Sequence, residues 1–240
     1  MKMLSELFQE LKKSADPEKA KNLKWFFKTG KGEYGEGDQF LGITVPRLQA
    51  ISKKYQDLEL KDLQKLLDSK IHEHRLSALM ILRFKYAKTL RLPIEKRVAQ
   101  GKEIVQFYLK NTKKINNWDL VDLSCHYILG DWLLNKDRKI LYKLARSKNL
   151  WERRISIITT FAFIRENQFA DTLKISEIFL NDKHDLIHKA VGWMLRELGK
   201  RDKKTEVDFL NKHYKAMPRT MLRYAIEKFS EKERKFYLAK

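Results

Sequence analysis

Apolar residues recur every three or four positions along nearly the whole chain, which is the spacing of one face of an α-helix. Leu4, Leu7 and Leu11 begin this pattern. Asp16 followed by Pro17 is typical of a helix start, because aspartate caps free N–H groups and proline fits the first turn. The pattern predicts helices over residues 4–11, 16–27, 46–56, 60–69, 73–88, 93–111, 118–135, 138–147, 150–166, 169–181, 186–201, 204–214, 218–228 and 231–240.

Residues 29–38 interrupt the helical pattern. They contain four of the nine glycines in the chain, at positions 30, 32, 35 and 37. Glycine at that density is typical of turns, because it adopts backbone angles that other residues avoid. We predict that residues 29–40 form a loop or a small hairpin inserted between helices, and we find no other convincing candidate for a strand.

The predicted helices repeat in pairs. Similar four-residue groups begin at Arg75, Asp122, Arg154, Lys189 and Arg223, at intervals of 47, 32, 35 and 34 residues. These intervals lie in or near the range of HEAT and armadillo repeats, in which helix pairs stack into a solenoid. The sequence therefore predicts an all-α, HEAT-like α-solenoid of antiparallel helix pairs, a single domain over 1–240 with a concave basic face. Four of the five repeat positions hold a cation that can meet a phosphate, and the fifth holds an acid.

The charge of the chain indicates an acidic partner. Its 51 lysines and arginines outnumber 31 aspartates and glutamates, so the formal net charge is +20. Nucleic acid and an anionic membrane surface both fit that charge, but no segment reaches the roughly 18 apolar residues of a membrane span. Residues 1–10 lack the apolar core of a signal peptide, so we expect a cytoplasmic protein, which binding to nucleic acid would place at the nucleoid. Nothing in the sequence indicates an oligomer, and we expect a monomer.

An acid near the middle of the chain requires an explanation. Asn116 and Asn117 are suited to cap a helix that begins at Trp118. Asp119 falls in the first turn, where the helix dipole favours an acid without any further role. Asp122 follows Trp118 by four positions, so both side chains should lie on one face of the helix. The residues alone leave two interpretations of Asp122, a functional carboxylate and a salt bridge to a neighbouring arginine.

Other aromatic and basic residues are candidates for the same surface. Trp193 follows Lys189 by one helical turn and can face the concave side with it, although core packing is the commoner fate of a tryptophan. Arg153 and Arg154 lie near a predicted helix start, where N–H groups and two guanidinium groups can bind a phosphate. A solvated basic face is the alternative there. The other tryptophans, which we assign to the core, are Trp25, Trp132 and Trp151.

The sequence carries no signal for a metal or a cofactor. His184 and His188 have the spacing of metal ligands but lack the glutamate of the HExxH pattern. The GxGxxG, Walker A and nucleophile-elbow patterns are absent. The single cysteine, Cys125, falls in an apolar helical run and is expected to be buried and inert. We therefore predict no metal site and no cofactor.

Four segments of the chain resemble one known family. They are 40–43 (FLGI, with a proline following), 117–122 (NWDLVD), 150–154 (LWERR) and 189–197 (KAVGWMLRE). In this order and with near-constant separation, they resemble the bacterial alkylpurine DNA glycosylases built from HEAT-like repeats, the AlkD family of DNA alkylation repair enzymes. The similarity extends from about Asp16 to Arg201.

The resemblance implies an activity and a set of site residues. In that family an aspartate and two tryptophans at these places form the catalytic cluster, which corresponds here to Asp122, Trp118 and Trp193. An arginine that contacts the DNA backbone corresponds to Arg154. The implied reaction is hydrolysis of the N-glycosidic bond of cationic N3- or N7-alkylated purines, with the lesion left in duplex DNA rather than flipped into a pocket. The other cations that would hold neighbouring phosphates are Arg153, Lys189, Arg75 and Arg223.

Two other functions stay open. Some members of the wider superfamily carry an added N-terminal hairpin, lack base excision and bind branched DNA, and residues 29–38 resemble such an insertion. A HEAT-type scaffold or RNA binder would also suit the net charge. Neither alternative explains an acid between two tryptophans. The combination of Asp122, Trp118 and Trp193 therefore favours the enzyme.

Overall fold

The computed structural model describes residues 2–239 as an all-α protein. The α-helices are α1 (Lys2–Lys13), α2 (Pro17–Phe26), α3 (Val45–Lys54), α4 (Leu60–Leu67), α5 (His72–Thr89), α6 (Ile94–Lys110), α7 (Trp118–Asp122), α8 (Asp131–Leu133), α9 (Lys139–Ala145), α10 (Leu150–Thr159), α11 (Phe161–Arg165), α12 (Ala170–Ile178), α13 (Asp185–Gly199), α14 (Lys203–His213), α15 (Arg219–Ala225) and α16 (Glu231–Leu238). Short 3₁₀ helices occur at Thr112–Lys114, Phe179–Asn181 and Ile226–Lys228, and His126–Gly130 is π-helical. Residues 2–239 contain no strand, only an isolated bridge between Gln39 and Ile71. The predicted all-α class is confirmed.

The chain divides into two compact units, Met1–Ser124 and Cys125–Lys240. The single domain over 1–240 and the solenoid with a concave basic face stay predictions. No helix in the described part of the chain is both long and apolar enough to span a bilayer.

In the first unit, α5 is the central helix. It packs against α3, α4, α6 and α7. Every residue from 72 to 82 is buried, including the polar first turn formed by His72, Glu73, His74 and Arg75. Buried polar side chains require hydrogen-bond partners. The partners of this turn come mainly from the chain between α2 and α3, and they organise the candidate site.

In the second unit, the helices that carry the predicted repeat positions are neighbours. Helix α10 packs against α9 and α13, and α13 packs against α14 and α15. Gly192 permits the close approach of α13 and α15, because a Cβ atom there would lie 2.4 Å from the carbonyl oxygen of Met221. Helices α10, α13 and α15 carry Arg154, Lys189 and Arg223 respectively.

Two long predicted helices, over 118–135 and 150–166, are largely helical in the structure but are each interrupted. The first ends as α7 at Asp122, and the second divides between α10 and α11. A hydroxyl group lies at each break. Ser124 Oγ donates to the Leu120 carbonyl at 2.5 Å, and Thr160 Oγ1 donates to the Ile157 carbonyl at 2.7 Å. Such bonds compete with the helical N–H groups for the carbonyl oxygens.

The remaining core assignments are confirmed in part. Trp151 and Cys125 are buried, as predicted, and Trp132 is half-buried with Lys136 Nζ 3.9 Å from its ring centroid. The assignment of Trp25 to the core was wrong, because its side chain is exposed. Of the predicted helix 231–240, α16 covers Glu231–Leu238, and residue 240 lies outside the described residues.

Candidate functional site

Helix α7 places Trp118 and Asp122 one helical turn apart. Asn117 precedes the helix with an extended backbone, and its side-chain oxygen accepts from the Trp118 N–H at 2.8 Å. The predicted asparagine cap and helix start are therefore confirmed. Both Trp118 and Asp122 are half-buried, and Asp122 is the last residue of this short helix. Four-residue spacing directs both side chains to the same side of the helix.

An aromatic cluster supports the indole ring of Trp118. Phe27 stacks on Trp118 with ring centroids 5.2 Å apart and an angle of 23° between the ring planes. Phe40 stacks on Phe27 at 5.2 Å, and the His72 ring lies 4.8 Å from Phe40. Phe26 meets Trp118 edge-on at 6.0 Å. Part of the indole is thus covered by protein, and the half-buried ring keeps some surface in contact with solvent.

A buried network of charged residues lies beneath this cluster. His72 Nδ1 is 3.2 Å from Asp38 Oδ2, and His72 Nε2 is 2.8 Å from Asp119 Oδ2. Arg75 Nη2 donates to the other oxygen of Asp38 at 2.7 Å. A carboxylate on each ring nitrogen suits a doubly protonated, positively charged imidazole. His72 therefore connects the chain after α2 with the first turn of α7.

The electrostatics of this network favour its charged forms. Burial alone would lower the pKa of His72, but the charge of Asp119 and the hydrogen bonds to Asp119 and Asp38 raise that pKa to about 9. Burial would also raise the pKa of Asp38. The hydrogen bond with His72 and the charge of Arg75 outweigh burial and hold the pKa of Asp38 below its usual value.

The network corrects two sequence interpretations. Asp119 was explained by the helix dipole alone, but its carboxylate is buried and bound to His72. Arg75 was expected to meet a DNA phosphate. Its side chain is only 4% exposed, pairs with Asp38 and donates to the Ser69 carbonyl at 2.8 Å. The guanidinium group is therefore bound to protein groups in the interior, and the expectation that Arg75 binds a phosphate does not fit the structure.

The glycine-rich segment delivers Asp38 to the network through consecutive turns rather than a hairpin. The Glu33 carboxylate accepts from Gly30 N–H at 2.7 Å, and Glu36 accepts from Gly32 N–H at 2.8 Å. Gly35 packs so closely that a Cβ atom would lie 2.3 Å from the Phe27 carbonyl oxygen. Of the predicted alternatives of loop and hairpin, the loop is correct, because residues 29–38 contain no strand.

The FLGI segment is held by a single buried glutamate. The Glu73 carboxylate accepts from the N–H groups of Leu41, Gly42 and Ile43 at 2.9, 2.8 and 3.3 Å. Gly42 has a φ of +85°, and a Cβ atom there would lie 2.1 Å from the Asp16 carbonyl oxygen. Only glycine fits both the backbone angle and the space. The segment thereby places Phe40 under Phe27 and Trp118.

In the second unit, α13 carries Trp193 and Lys189. Trp193 is half-buried, its Nε1–H donates to Glu197 Oε1 at 3.2 Å, and its ring lies 5.9 Å from that of Phe161. Lys189 forms an ion pair with Asp185 at 2.8 Å, and its side chain is 40% exposed. Both side chains therefore retain surface that can meet a ligand.

The two adjacent arginines of α10 bind protein groups. Arg153 Nε donates to Asp182 at 2.8 Å, and its Nη1 donates to the carbonyl oxygens of Ser147 and Lys148. Arg154 is 5% exposed, and its Nη1 donates to the Leu186 carbonyl at 2.6 Å. The expected phosphate site at this helix start does not fit these contacts. Its first N–H groups are also occupied, because the Asn149 side chain accepts from residues 151 and 152.

Arg223 is the predicted phosphate ligand with the most open surroundings. It lies on α15 and is exposed. Together with Lys189 it offers positive charge that the protein does not bury. The sequence interpretation missed the supporting roles of four residues beneath Trp118. They are Asp38, His72, Glu73 and Asp119. Residue type alone does not reveal such roles, because the partners are distant in the sequence.

Comparison with known families identifies the chain. A family model described as DNA alkylation repair enzyme matches residues 7–229, which is nearly the whole sequence. The chain belongs to the DNA alkylation repair enzyme family. The family resemblance noted from the four sequence segments is therefore confirmed. For the DNA alkylation repair family, DNA is the implied partner.

Among solved structures, this DNA alkylation repair family member is similar to a predicted DNA alkylation repair enzyme from Enterococcus faecalis. The TM-score is 0.65 at 18% sequence identity, and the likeness covers 91% of this chain and 98% of the other. At 18% sequence identity, this similarity shows a shared fold and nothing about activity. No curated protein sequence matches the chain.

Proposed function

We propose that this DNA alkylation repair family member is a DNA N-glycosylase that removes cationic N3- or N7-alkylated purines from duplex DNA. The observation that carries the proposal is the position of Asp122 one turn after Trp118, both half-buried on one short helix. A carboxylate and an aromatic face are suited to a reaction that develops positive charge. The buried contacts of Asn117 and Asp119 hold the start of that helix.

The chemistry of the substrate explains why few groups are required. A purine alkylated at N3 or N7 is cationic, so it leaves as a neutral base without protonation by a general acid. The bond between sugar C1′ and the base nitrogen breaks with its electron pair passing to the base, and positive charge develops on the sugar. We assign to Asp122 the stabilisation of this charge and the orientation of a water molecule, which adds to C1′ and loses its proton to the Asp122 carboxylate.

The tryptophans have a related role in the proposal. The negative face of an indole attracts a cation, and its apolar surface excludes bulk water from the reacting atoms. We assign this role to Trp118 and to Trp193, whose ring orientations are supported by Phe27 and by Glu197 respectively. The two side chains keep part of their surface exposed, as contact with a substrate requires.

DNA binding is assigned to the exposed cations. Lys189 and Arg223 are the proposed phosphate ligands. Arg154 is proposed to act indirectly, by holding the first turn of α13 through the Leu186 carbonyl. Since phosphate contacts release counterions, we expect the affinity for duplex DNA to fall steeply with salt.

The experiment that tests the function is release of free base from methylated duplex DNA at neutral pH in the presence of a chelator. Native protein should release base well above the spontaneous rate. Asp122→Asn keeps the shape of the side chain but removes its charge, so release should fall by about a hundredfold or more. Trp118→Ala should also reduce release, because the indole face is lost.

Asp57→Asn is the matched control, since it removes the same charge from an exposed residue of the first unit that pairs with Lys88. It should leave base release unchanged, which separates the position of Asp122 from a general effect of net charge. Release by native protein that does not exceed the spontaneous rate, with duplex binding intact, would contradict the glycosylase. A DNA-binding protein without base excision, including a branched-DNA binder, would then be favoured.

A further inference from the structure

The C-terminal end of α2 presents two aromatic rings to solvent. Trp25 is 77% exposed and Phe26 is 53% exposed, whereas Phe27 is 6% exposed and belongs to the cluster under Trp118. Burial of an aromatic ring is a large source of folding free energy, so adjacent exposed rings indicate a surface that binds a partner. We call Trp25 and Phe26 the aromatic ledge.

The aromatic ledge is held by the surrounding fold. The Phe26 ring meets Phe27 edge-on at 5.1 Å and Trp118 at 6.0 Å. Directly after the helix the chain turns back, because the Thr29 N–H and hydroxyl both donate to the Lys24 carbonyl, at 3.2 and 3.1 Å. This turn leaves the Trp25 ring outside the cluster. The ledge is thus continuous with the candidate catalytic residue Trp118.

Positive charge surrounds the aromatic ledge. The exposed lysines within and after α2 include Lys21, Lys24, Lys28 and Lys31. Lys28 Nζ lies 5.5 Å from the Trp25 ring centroid, within the range of a cation–π contact. The nearby carboxylates of Glu33 and Glu36 bind the backbone N–H groups of Gly30 and Gly32. Flat apolar rings among lysines match a partner with stacked bases and phosphates.

We propose that the aromatic ledge is a DNA contact surface on which Trp25 packs against the nucleotides that flank the damaged one. Phe26 connects this surface to Trp118 through their edge-on contact at 6.0 Å. The inference rests on the proposed function for the location of the damaged nucleotide. It requires DNA binding but not base release.

The physical basis of the contact is stacking. Every base has an aromatic face, so an exposed indole binds without reading sequence. Apolar side chains also insert between base steps where the stack is already weak. A duplex with a missing base therefore gains more from Trp25 than an intact duplex does. The lysines around the ring keep the phosphates of the same strand close to the protein.

The test is the DNA affinity of the full chain, measured by fluorescence anisotropy. The probes are two labelled duplexes that differ only in a central tetrahydrofuran abasic site. Trp25→Ala should weaken binding of the abasic duplex about tenfold and weaken binding of the intact duplex less. The salt dependence should stay the same, because no charge is removed. Trp25→Phe keeps an aromatic face and should retain most of the affinity.

Phe236→Ala is the matched control, since it removes another exposed ring, on α16. It should change either affinity by less than about twofold. Unchanged binding of both duplexes by Trp25→Ala would overturn the inference, as would a native protein that binds neither duplex. A loss of binding to anionic phospholipid vesicles in Trp25→Ala, with DNA affinity unchanged, would assign the ledge to a membrane surface. The affinity assay does not measure base release, so its result stands even if the protein proves not to be a glycosylase.

Discussion

Trp118 in the first unit and Trp193 in the second are both half-buried, but they are held in different ways. Trp118 stacks on Phe27, Phe27 stacks on Phe40, and both phenylalanines contact the His72 ring. These residues come from separate stretches of the chain, directly after α2, in the FLGI segment and in α5. The orientation of Trp118 therefore depends on long-range packing of the first unit.

Trp193 depends more on its own helix. Its Nε1–H donates to Glu197, one turn further along α13, and Phe161 contributes a ring at 5.9 Å. The hydrogen bond follows from i,i+4 spacing, so it forms wherever α13 is helical. The difference shows that two indoles with the same proposed role can have very different sensitivities to changes elsewhere in the protein.

The two units also differ in the partners of their equivalent repeat positions. Arg75 and Arg154 are both buried, but Arg75 pairs with the Asp38 carboxylate, whereas Arg154 donates to the Leu186 carbonyl. Asp38 in turn binds His72, whose charge changes with pH. The contacts that support Trp118 therefore include a side chain that titrates, His72. Changes in the chain between α2 and α3, or in pH, should act on Trp118 before they act on Trp193.

The largest effect is expected from Gly42→Ala. The new methyl group would lie 2.1 Å from the Asp16 carbonyl oxygen and 2.7 Å from the Ala20 nitrogen, and φ there is +85°. Backbone strain and overpacking together should lower the free energy of unfolding by about 4 kcal/mol. Urea denaturation measures this loss. Near-UV circular dichroism should also change, because Phe40 moves with the segment.

Gly32→Ala is the control for Gly42→Ala. Gly32 has a similar φ of +78°, but no atom lies within 4 Å of its Cβ position. The variant should therefore lose only about 1 kcal/mol, from the backbone angle alone. Equal losses at the two positions would show that close packing of the FLGI segment does not support Trp118.

Sequence patterns predicted the local part of the candidate site and missed the long-range part. The Asn117 cap and the spacing of Trp118 and Asp122 depend on neighbouring residues, so they could be predicted. His72 binds carboxylates 34 and 47 positions away, and no pattern in one sequence pairs such distant residues. Trp25 was misassigned because its apolar spacing continues to the helix end, where the chain turns at Lys28 with a φ of 54°.

His72→Gln should give the next largest effect, and it should depend on pH. The pKa of His72 is raised from 6.5 to about 9 in the folded protein, because its bonds to Asp119 and Asp38 outweigh burial. The protonated imidazole therefore stabilises the fold fully below about pH 6.5, and this contribution is lost as the pH rises through 9. At pH 6 the variant should lose on the order of 3 kcal/mol, measured by urea denaturation.

The comparison of native protein with His72→Gln at each pH is essential, because Glu206 also titrates. Burial raises the pKa of Glu206 from 4.5 to about 8, against the charges of Lys203 and Arg196. Titration of Glu206 therefore also lowers stability as the pH rises, but by the same amount in the native protein and in His72→Gln. The difference between them should shrink between pH 6.5 and 9. A difference that stays constant across this range would contradict a protonated His72.

Glu197→Ala should have the smallest effect, and it tests the second half of the comparison. The Trp193 indole is half-buried, so water can replace the lost acceptor, and the cost should be no more than about 1 kcal/mol. Phe40→Ala, which removes a ring beneath Phe27 and Trp118, should cost about 3 kcal/mol by the same urea measurement. If both variants lost the same stability, the two tryptophans would depend equally on distant packing. The contrast between a local and a long-range support would then have no energetic basis.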